Sequence, residues 1–165
     1  AILPIWALRD YIEHDRETML KAIGLSHIIT AYVKSFTGRL SAVCGCSVAA
    51  GAGATAGTTY LLGGNVNHIA GAIKNLTEDL AGVICDGATA GCALTLPPAA
   101  GTAVQASLSA LQGIRVQATD GIIGASLEQT TQNVGELSTR GMLETDRTIL
   151  RIMLEKGFSG LSPDR

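Results

Sequence analysis

Two long stretches without a charged residue constrain this chain most. Residues 40–73 and 87–114 contain no Asp, Glu, Lys or Arg, so neither carries the charged face typical of a surface helix. Both are rich in Gly and Ala and are diluted by Thr, Ser, Asn and Pro, whereas a membrane span needs about 20 predominantly apolar residues. We therefore expect helices packed deeply inside the protein, and no membrane span.

Composition indicates one helical domain. At 165 residues the chain is long enough to bury a core. Hydrophobic residues make up 47% of it, aromatic residues only 4%, and 20 residues are Gly. No alternating apolar run predicts a sheet. We predict an all-α fold: a single compact helical domain over residues 1–158, with buried Gly/Ala-rich helices and cysteine-bearing loops, followed by a loose tail at residues 159–165.

Apolar periodicity and capping residues predict the helices. Gly24 and Gly157 are expected to end helices, and Thr77 is expected to cap one. The predicted helical segments are residues 4–22, 26–36, 39–62, 66–76, 80–84, 99–111, 124–138 and 142–156.

The net charge and the first residues of the chain indicate which partners and location to expect. A net charge of −2 and a pI near 5.9 give no basic face for nucleic acid. The chain opens with Ala1 and has no positively charged start followed by an apolar run. We expect a cytoplasmic protein, and infer a processed chain or a piece of a longer one.

All four cysteines lie at glycine-rich breaks in the pattern: Cys44, Cys46, Cys85 and Cys92. Bare backbone at such breaks would let an inorganic sulfide core approach, so the pattern favours a metal or cluster site. Three other interpretations stay open. Free thiols are often small core residues, and two disulfides would need an oxidising compartment. A structural zinc site usually has two to four residues between paired ligands, a spacing that neither pair has.

Three polar residues near the cysteines are weaker candidates. His68 is the one imidazole in the charge-free stretches and is a candidate base, although a hydrogen-bonded structural histidine is the simpler interpretation. Arg39 could pair with a substrate carboxylate or cap a surface. Asp86 could order a cluster loop or form an Asx turn.

Four segments carry a resemblance to a known family: GRLSAVCGCSVAAGAGATAG, CDGATAGCAL, TDGIIG and RGMLETDRTIL. Over roughly residues 39–156 the chain resembles the catalytic, alpha-type domain of iron–sulfur L-serine dehydratases, and most closely the L-cysteine desulfidase branch. Serine dehydratases have CDP where this chain has Cys85-Asp86-Gly87, and they space their last two ligands further apart. These departures favour the desulfidase branch and leave the substrate open.

The resemblance implies a [4Fe–4S] cluster held by three cysteines, with one iron left open. The motif matches place the ligands on Cys85, on Cys92 and on Cys44, with Cys46 as the alternative to Cys44. Cys46 begins a run that resembles the CSMAAAG-like segment of a non-ligand cysteine in serine dehydratases.

The implied reaction is β-elimination of a small L-amino acid, giving pyruvate and ammonia, and also sulfide when the substrate is L-cysteine. No pyridoxal phosphate is expected, and the lysines fall on ordinary helix faces: Lys21, Lys34, Lys74 and Lys156. The implied partners are the amino acid and an N-terminal part of the same protein that supplies the base. Because the long uncharged helices could expose apolar surface, we also predict a homodimer. The alternative function is a non-catalytic helical scaffold or interaction domain with structural or zinc-binding cysteines.

Overall fold

A computed structural model describes residues 1–38, 40–87 and 89–159. Over these residues the fold is all-α, as predicted, and its β-structure is confined to one isolated antiparallel bridge between Val43 and Ile84. Two 3-10 segments, residues 8–10 and 90–95, and a π-helical segment, residues 137–141, supplement the helices. The α-helices are α1 (Ile2–Ala7), α2 (Arg16–Thr37), α3 (Ala49–Leu61), α4 (Val66–Leu80), α5 (Leu96–Leu111), α6 (Leu127–Glu136) and α7 (Leu143–Ser159).

Helix α3 is the centre of the domain. It packs against α1, α2, α4 and α5, and every residue from 51 to 59 is buried. This confirms the expectation of deep burial for the α3 part of the first charge-free stretch. For the second stretch the expectation is wrong at its start, because residues 89–91, 93, 94 and 96–98 are exposed. The helix is shorter than the predicted residues 39–62, because the segment before Ala49 forms the cysteine-bearing turn.

Small residues on α3 allow α2 to approach its backbone closely. A Cβ at Gly57 would lie 2.6 Å from the carbonyl oxygen of Ala22, and a Cβ at Gly53 would collide with Thr30 and with the carbonyl of Ser26. Glycine is therefore required at these two positions by the helix–helix distance.

The predicted break at Gly24 is wrong. Helix α2 runs through Gly24, which is exposed and has open space around it, so it costs the helix only about 1 kcal/mol relative to Ala. The break lies earlier, where the Asp15 carboxylate accepts a hydrogen bond from the Thr18 N–H at 2.6 Å and starts α2.

The predicted cap at Thr77 and the helix over residues 80–84 are also wrong. Thr77 is buried inside α4 and donates to the Ile73 carbonyl at 2.8 Å, a bond that a helix-interior threonine makes. Helix α4 ends at Leu80, and the chain then extends so that Ile84 can pair with Val43.

The last three helices, α5 to α7, lie where they were predicted, but most of their first and last residues differ from the prediction. Helix α5 starts at Leu96, with the two prolines in its first turn. The Ser126 hydroxyl accepts from the Gln129 N–H at 3.0 Å and starts α6. Helix α7 continues past Gly157 to Ser159, so that predicted stop is wrong; the rest of the predicted tail lies outside the described residues.

Candidate functional site

All four cysteines line one cavity of about 450 Å³. The turn between α2 and α3 brings Cys44 and Cys46 to it, and the loop between α4 and α5 brings Cys85 and Cys92. The sequence analysis expected two distant segments to form one thiol site, and the structure brings them together. The remaining described residues of the lining are Thr30, Lys34, Leu40, Ser41, Val43, Gly45, Ala49, Ala50 and Thr89.

Two backbone hydrogen bonds join the cysteine-bearing segments. The Cys44 N–H donates to the Val83 carbonyl at 2.9 Å, and the Cys85 N–H donates to the Ala42 carbonyl at 2.6 Å. Each bond anchors the backbone of a cysteine on the opposite segment. The relative position of Cys44 and Cys85 is thus fixed by main-chain atoms, independently of what their sulfurs bind.

Cys44 is the buried thiol of the four, with 1% of its surface exposed. Burial by itself would raise the pKa of the Cys44 thiol. Hydrogen bonds from the Ser47 side chain and N–H, the contact with the Thr95 hydroxyl and a bond from the Cys46 N–H outweigh burial and hold that pKa below its ordinary value. The Ser47 hydroxyl donates to Cys44 Sγ at 3.5 Å, and Thr95 Oγ1 lies 3.7 Å from the same sulfur. This environment favours a thiolate at Cys44.

Cys46 has a different environment, because it is exposed and lies between two cavities. The second cavity, of about 610 Å³, is lined mainly by apolar atoms of α1, α3 and the start of α5. His27 also lines this second cavity. Cys46 is thus the cysteine through which the two cavities meet.

Cys85 and Cys92 interact with each other and with Asp86. Cys92 Sγ donates to the Asp86 carboxylate at 3.0 Å, and the Thr89 hydroxyl donates to the same oxygen at 3.4 Å. The bond to Asp86, then burial and the neighbouring Cys85, raise the pKa of the Cys92 thiol. Asp86 thus orders the loop, as one of the two sequence interpretations proposed.

Helix α7 supports the same loop from outside. Gly87 has φ +93°, a left-handed conformation that favours glycine, and any Cβ there would collide with the Met153 side chain. The loop therefore lies close to α7 at Gly87.

His68 does not join the described site. His68 takes part in a capping box at the start of α4, where its Nδ1 accepts from the Asn65 N–H at 3.2 Å. It is not among the described residues that line the cysteine cavity. This is the hydrogen-bonded structural role that was the simpler interpretation. Arg39 lies outside the described residues.

Sequence reasoning missed three residues of the site. Ser47 and Thr95 provide the hydroxyls around Cys44; the only sequence signal was their position one and three residues after a cysteine. Lys34 was assigned to an ordinary helix face, which is wrong: it lines the cysteine cavity. No local pattern distinguishes it from the other lysines, because its position depends on how α2 packs.

The donor set fits a thiolate-bound group in its chemistry. Iron–sulfur clusters are held by cysteine thiolates, each on its own iron, and the four thiols share one cavity. Within the described ranges, no three Cys, His, Asp or Glu side chains are grouped so that they could hold a single metal ion. In the same part of the chain, no helix combines the length and apolar character that crossing a bilayer requires.

An all-helical domain whose loops gather four thiols around one cavity is the class of protein that this structure defines. The family model described as serine dehydratase alpha chain matches residues 1–151. The chain therefore belongs to the serine dehydratase alpha chain family, and the match extends further toward the N-terminus than the motifs that carry the resemblance.

Similar proteins are longer than this chain. It is 77% identical to a UPF0597 protein of Desulfatibacillum aliphaticivorans over 159 residues, which are 96% of this chain and 36% of that protein. It is 69% identical to a UPF0597 protein of Desulfotalea psychrophila, covering 97% and 37% of the two chains. It is 50% identical to a UPF0597 protein of Clostridioides difficile, over 93% of this chain and 36% of that protein. The chain thus spans little more than a third of these relatives. No solved structure matches it.

Proposed function

We propose that this chain is an iron–sulfur-dependent lyase domain that catalyses β-elimination of a small L-amino acid. With L-cysteine and water the products are pyruvate, ammonia and sulfide; with L-serine they are pyruvate and ammonia. Membership of the serine dehydratase alpha chain family supports the class of reaction. The departures at Cys85-Asp86-Gly87 support the desulfidase branch.

The observation that carries the proposal is the single cavity lined by all four cysteines. We propose Cys44, Cys85 and Cys92 as ligands of a [4Fe–4S] cluster, with Cys46 as the alternative to Cys44. A ligand cysteine must be deprotonated, which the lowered pKa of Cys44 favours. The raised pKa of Cys92 opposes it for as long as that thiol bonds Asp86.

When bound, the cluster would supply a Lewis-acidic iron for the carboxylate and leaving group of the substrate. The protein itself contributes the positions of the thiols. The two hydrogen bonds of the antiparallel bridge hold the backbones of Cys44 and Cys85 in place. To bind a metal, Cys92 would give up its hydrogen bond to Asp86, and Asp86 would keep the hydrogen bond that it accepts from Thr89. The base that removes the Cα proton is proposed to come from outside this chain, since His68 is engaged in a helix cap.

The test is the iron and acid-labile sulfide content after anaerobic reconstitution of the wild type and of four single variants, Cys44→Ser, Cys46→Ser, Cys85→Ser and Cys92→Ser. We expect about four irons per wild-type chain, with loss in three variants and retention in Cys46→Ser. Sulfide or ammonia release from L-cysteine and L-serine should follow the iron content. Retention in Cys44→Ser instead would make Cys46 the ligand.

A non-catalytic helical scaffold is the second candidate function. It is favoured by the hydrogen bonds that the Cys44 and Cys92 thiols already make with Ser47 and Asp86, as structural thiols would. Wild-type protein that binds zinc, or no metal, after reconstitution would establish this function and eliminate the lyase.

We propose that two copies of this chain form a homodimer. We also propose that the chain contacts an additional part of the protein, like the additional sequence found in its longer relatives. Large apolar side chains on α1, including Leu3 and Trp6, are exposed, and such surfaces mark interaction sites. Sedimentation equilibrium should find a dimer at micromolar concentrations; a monomer over the whole concentration range would contradict this.

A further inference from the structure

Lys34 points from α2 into the turn that carries two of the cysteines. A Cβ at Gly45 would lie 2.7 Å from the Lys34 Nζ and 3.6 Å from its Cε. The absence of a side chain at Gly45 thus leaves the space that the ammonium group occupies. This places a positive charge beside Gly45 at the wall of the cysteine cavity.

Among the described residues, the ammonium of Lys34 lacks partners of the kind that Lys21 and Lys74 have. Lys21, on the same helix, pairs with Glu17 at 2.7 Å. Lys74 donates to the carbonyls of Gly124 and Ala125 at 2.7 and 2.9 Å. For Lys34, no salt bridge or hydrogen bond to the described residues is found. A half-buried ammonium without a partner in the described part of the chain favours an anionic ligand, which would restore the interactions lost from water.

The cavity is complementary to a small anion. Its described lining consists of Lys34, thiols, hydroxyls and apolar groups, and it includes no carboxylate. Its volume of about 450 Å³ lies within the range of roughly 300–1,000 Å³ typical of small-molecule sites.

We propose that Lys34 binds the α-carboxylate of the amino-acid substrate, as a positioning and specificity-determining residue. The inference deepens the proposed function and rests on it. Lys34 would select substrates that carry a carboxylate and orient them toward the thiol-lined part of the cavity. An amino acid whose carboxylate is replaced by an amide should lose this interaction.

The test compares binding of L-serine and L-serinamide by isothermal titration calorimetry, with iron content measured on the same samples. Lys34→Met removes the charge, and Lys21→Met is the matched control on the same helix. A hydrogen bond to a charged group contributes about 1.5–3 kcal/mol, so Lys34→Met should weaken L-serine binding roughly ten- to hundredfold. L-serinamide binding should not change. Lys21→Met should behave as wild type.

Gly45→Ala provides a second variant that keeps the charge. Its Cβ would displace the flexible end of Lys34, so L-serine binding should weaken while circular dichroism stays that of the wild type. If Lys34→Met does not fold, the response of Gly45→Ala decides in its place.

The outcomes separate this inference from the proposed function. Equal L-serine binding by wild type and Lys34→Met, with iron retained in both, overturns the role of Lys34 and leaves the lyase intact. Loss of iron in Lys34→Met but not in Lys21→Met also overturns it, because Lys34 would then balance the charge of the cluster. If the wild type binds no iron, the proposed lyase function is rejected. The proposed role of Lys34 is then kept only if the metal-free wild type binds L-serine more tightly than L-serinamide and Lys34→Met shows no such preference.

Discussion

Cys44 and Cys85 each donate a backbone hydrogen bond across the same antiparallel bridge, although α3 and α4 separate them in the chain. The bonds measure 2.9 Å from Cys44 to Val83 and 2.6 Å from Cys85 to Ala42. Reciprocal bonds of this kind fix two backbones at strand-pair distance. The thiol site is therefore organised by the main chain before any ligand binds.

Hydrogen exchange should detect this bridge in metal-free protein. We expect the amide protons of Cys44 and Cys85 to exchange about five- to thirtyfold more slowly than that of Asp86, the factor to which 1–2 kcal/mol corresponds. The measurement is residue-resolved exchange by NMR. Equal rates at the three amides would mean that the bridge opens freely without a ligand.

The α2–α3 contact should make Gly57→Ala strongly destabilising. The new Cβ would lie 2.6 Å from the Ala22 carbonyl oxygen, and overpacking of this kind costs about 1–3 kcal/mol. Gly24→Ala is the matched control, because Gly24 has open space in the middle of α2. It should stabilise the protein by about 0.8–1.0 kcal/mol. Urea denaturation checks both; a destabilising Gly24→Ala would contradict a continuous α2.

Ser47→Ala should raise the pKa of Cys44. The Ser47 hydroxyl helps to stabilise the thiolate, and Ser35→Ala is a control because Ser35 bonds only the Tyr32 carbonyl. The thiolate absorbance of metal-free protein, titrated against pH, measures the effect.

The same lowered pKa of Cys44 has a consequence for stability. Because the folded state releases this proton at a lower pH than the unfolded state, the stabilisation is complete above the unfolded pKa. It is lost as the pH falls through the folded pKa. Ser47→Ala should weaken this dependence; an identical pH–stability curve would show that the hydroxyl does not act on Cys44.

Asp86→Ala should lower the pKa of Cys92 toward its ordinary value, because the carboxylate accepts the hydrogen bond of the protonated thiol. Alkylation of Cys92, followed by peptide mass spectrometry across pH, should then begin at a lower pH. Asp79→Ala is the control, since Asp79 accepts from Thr102 at 3.0 Å and lines another cavity. An unchanged alkylation profile would show that Asp86 does not affect the pKa of Cys92.

The sequence by itself determined the fold class, the buried helix α3 and the family. Charge-free, Gly/Ala-rich composition is a property of the chain, and it allowed residues 51–59 to be buried because no charged side chain there needs water. The same composition did not bury residues 89–91, 93, 94 and 96–98, which are exposed. The cysteine motifs were equally explicit, and the family match confirms the resemblance that they carried. The proposed ligand roles of the cysteines remain predictions.

Tertiary structure decided what local pattern could not. The sequence placed breaks at Gly24 and Thr77, but packing of long helices overrode these weak local signals. The extended segment before Cys85 forms only because Val43 is available to pair with Ile84. Lys34 resembles any other helical lysine in sequence; the packing of α2 beside Gly45 is what brings its charge to the thiols.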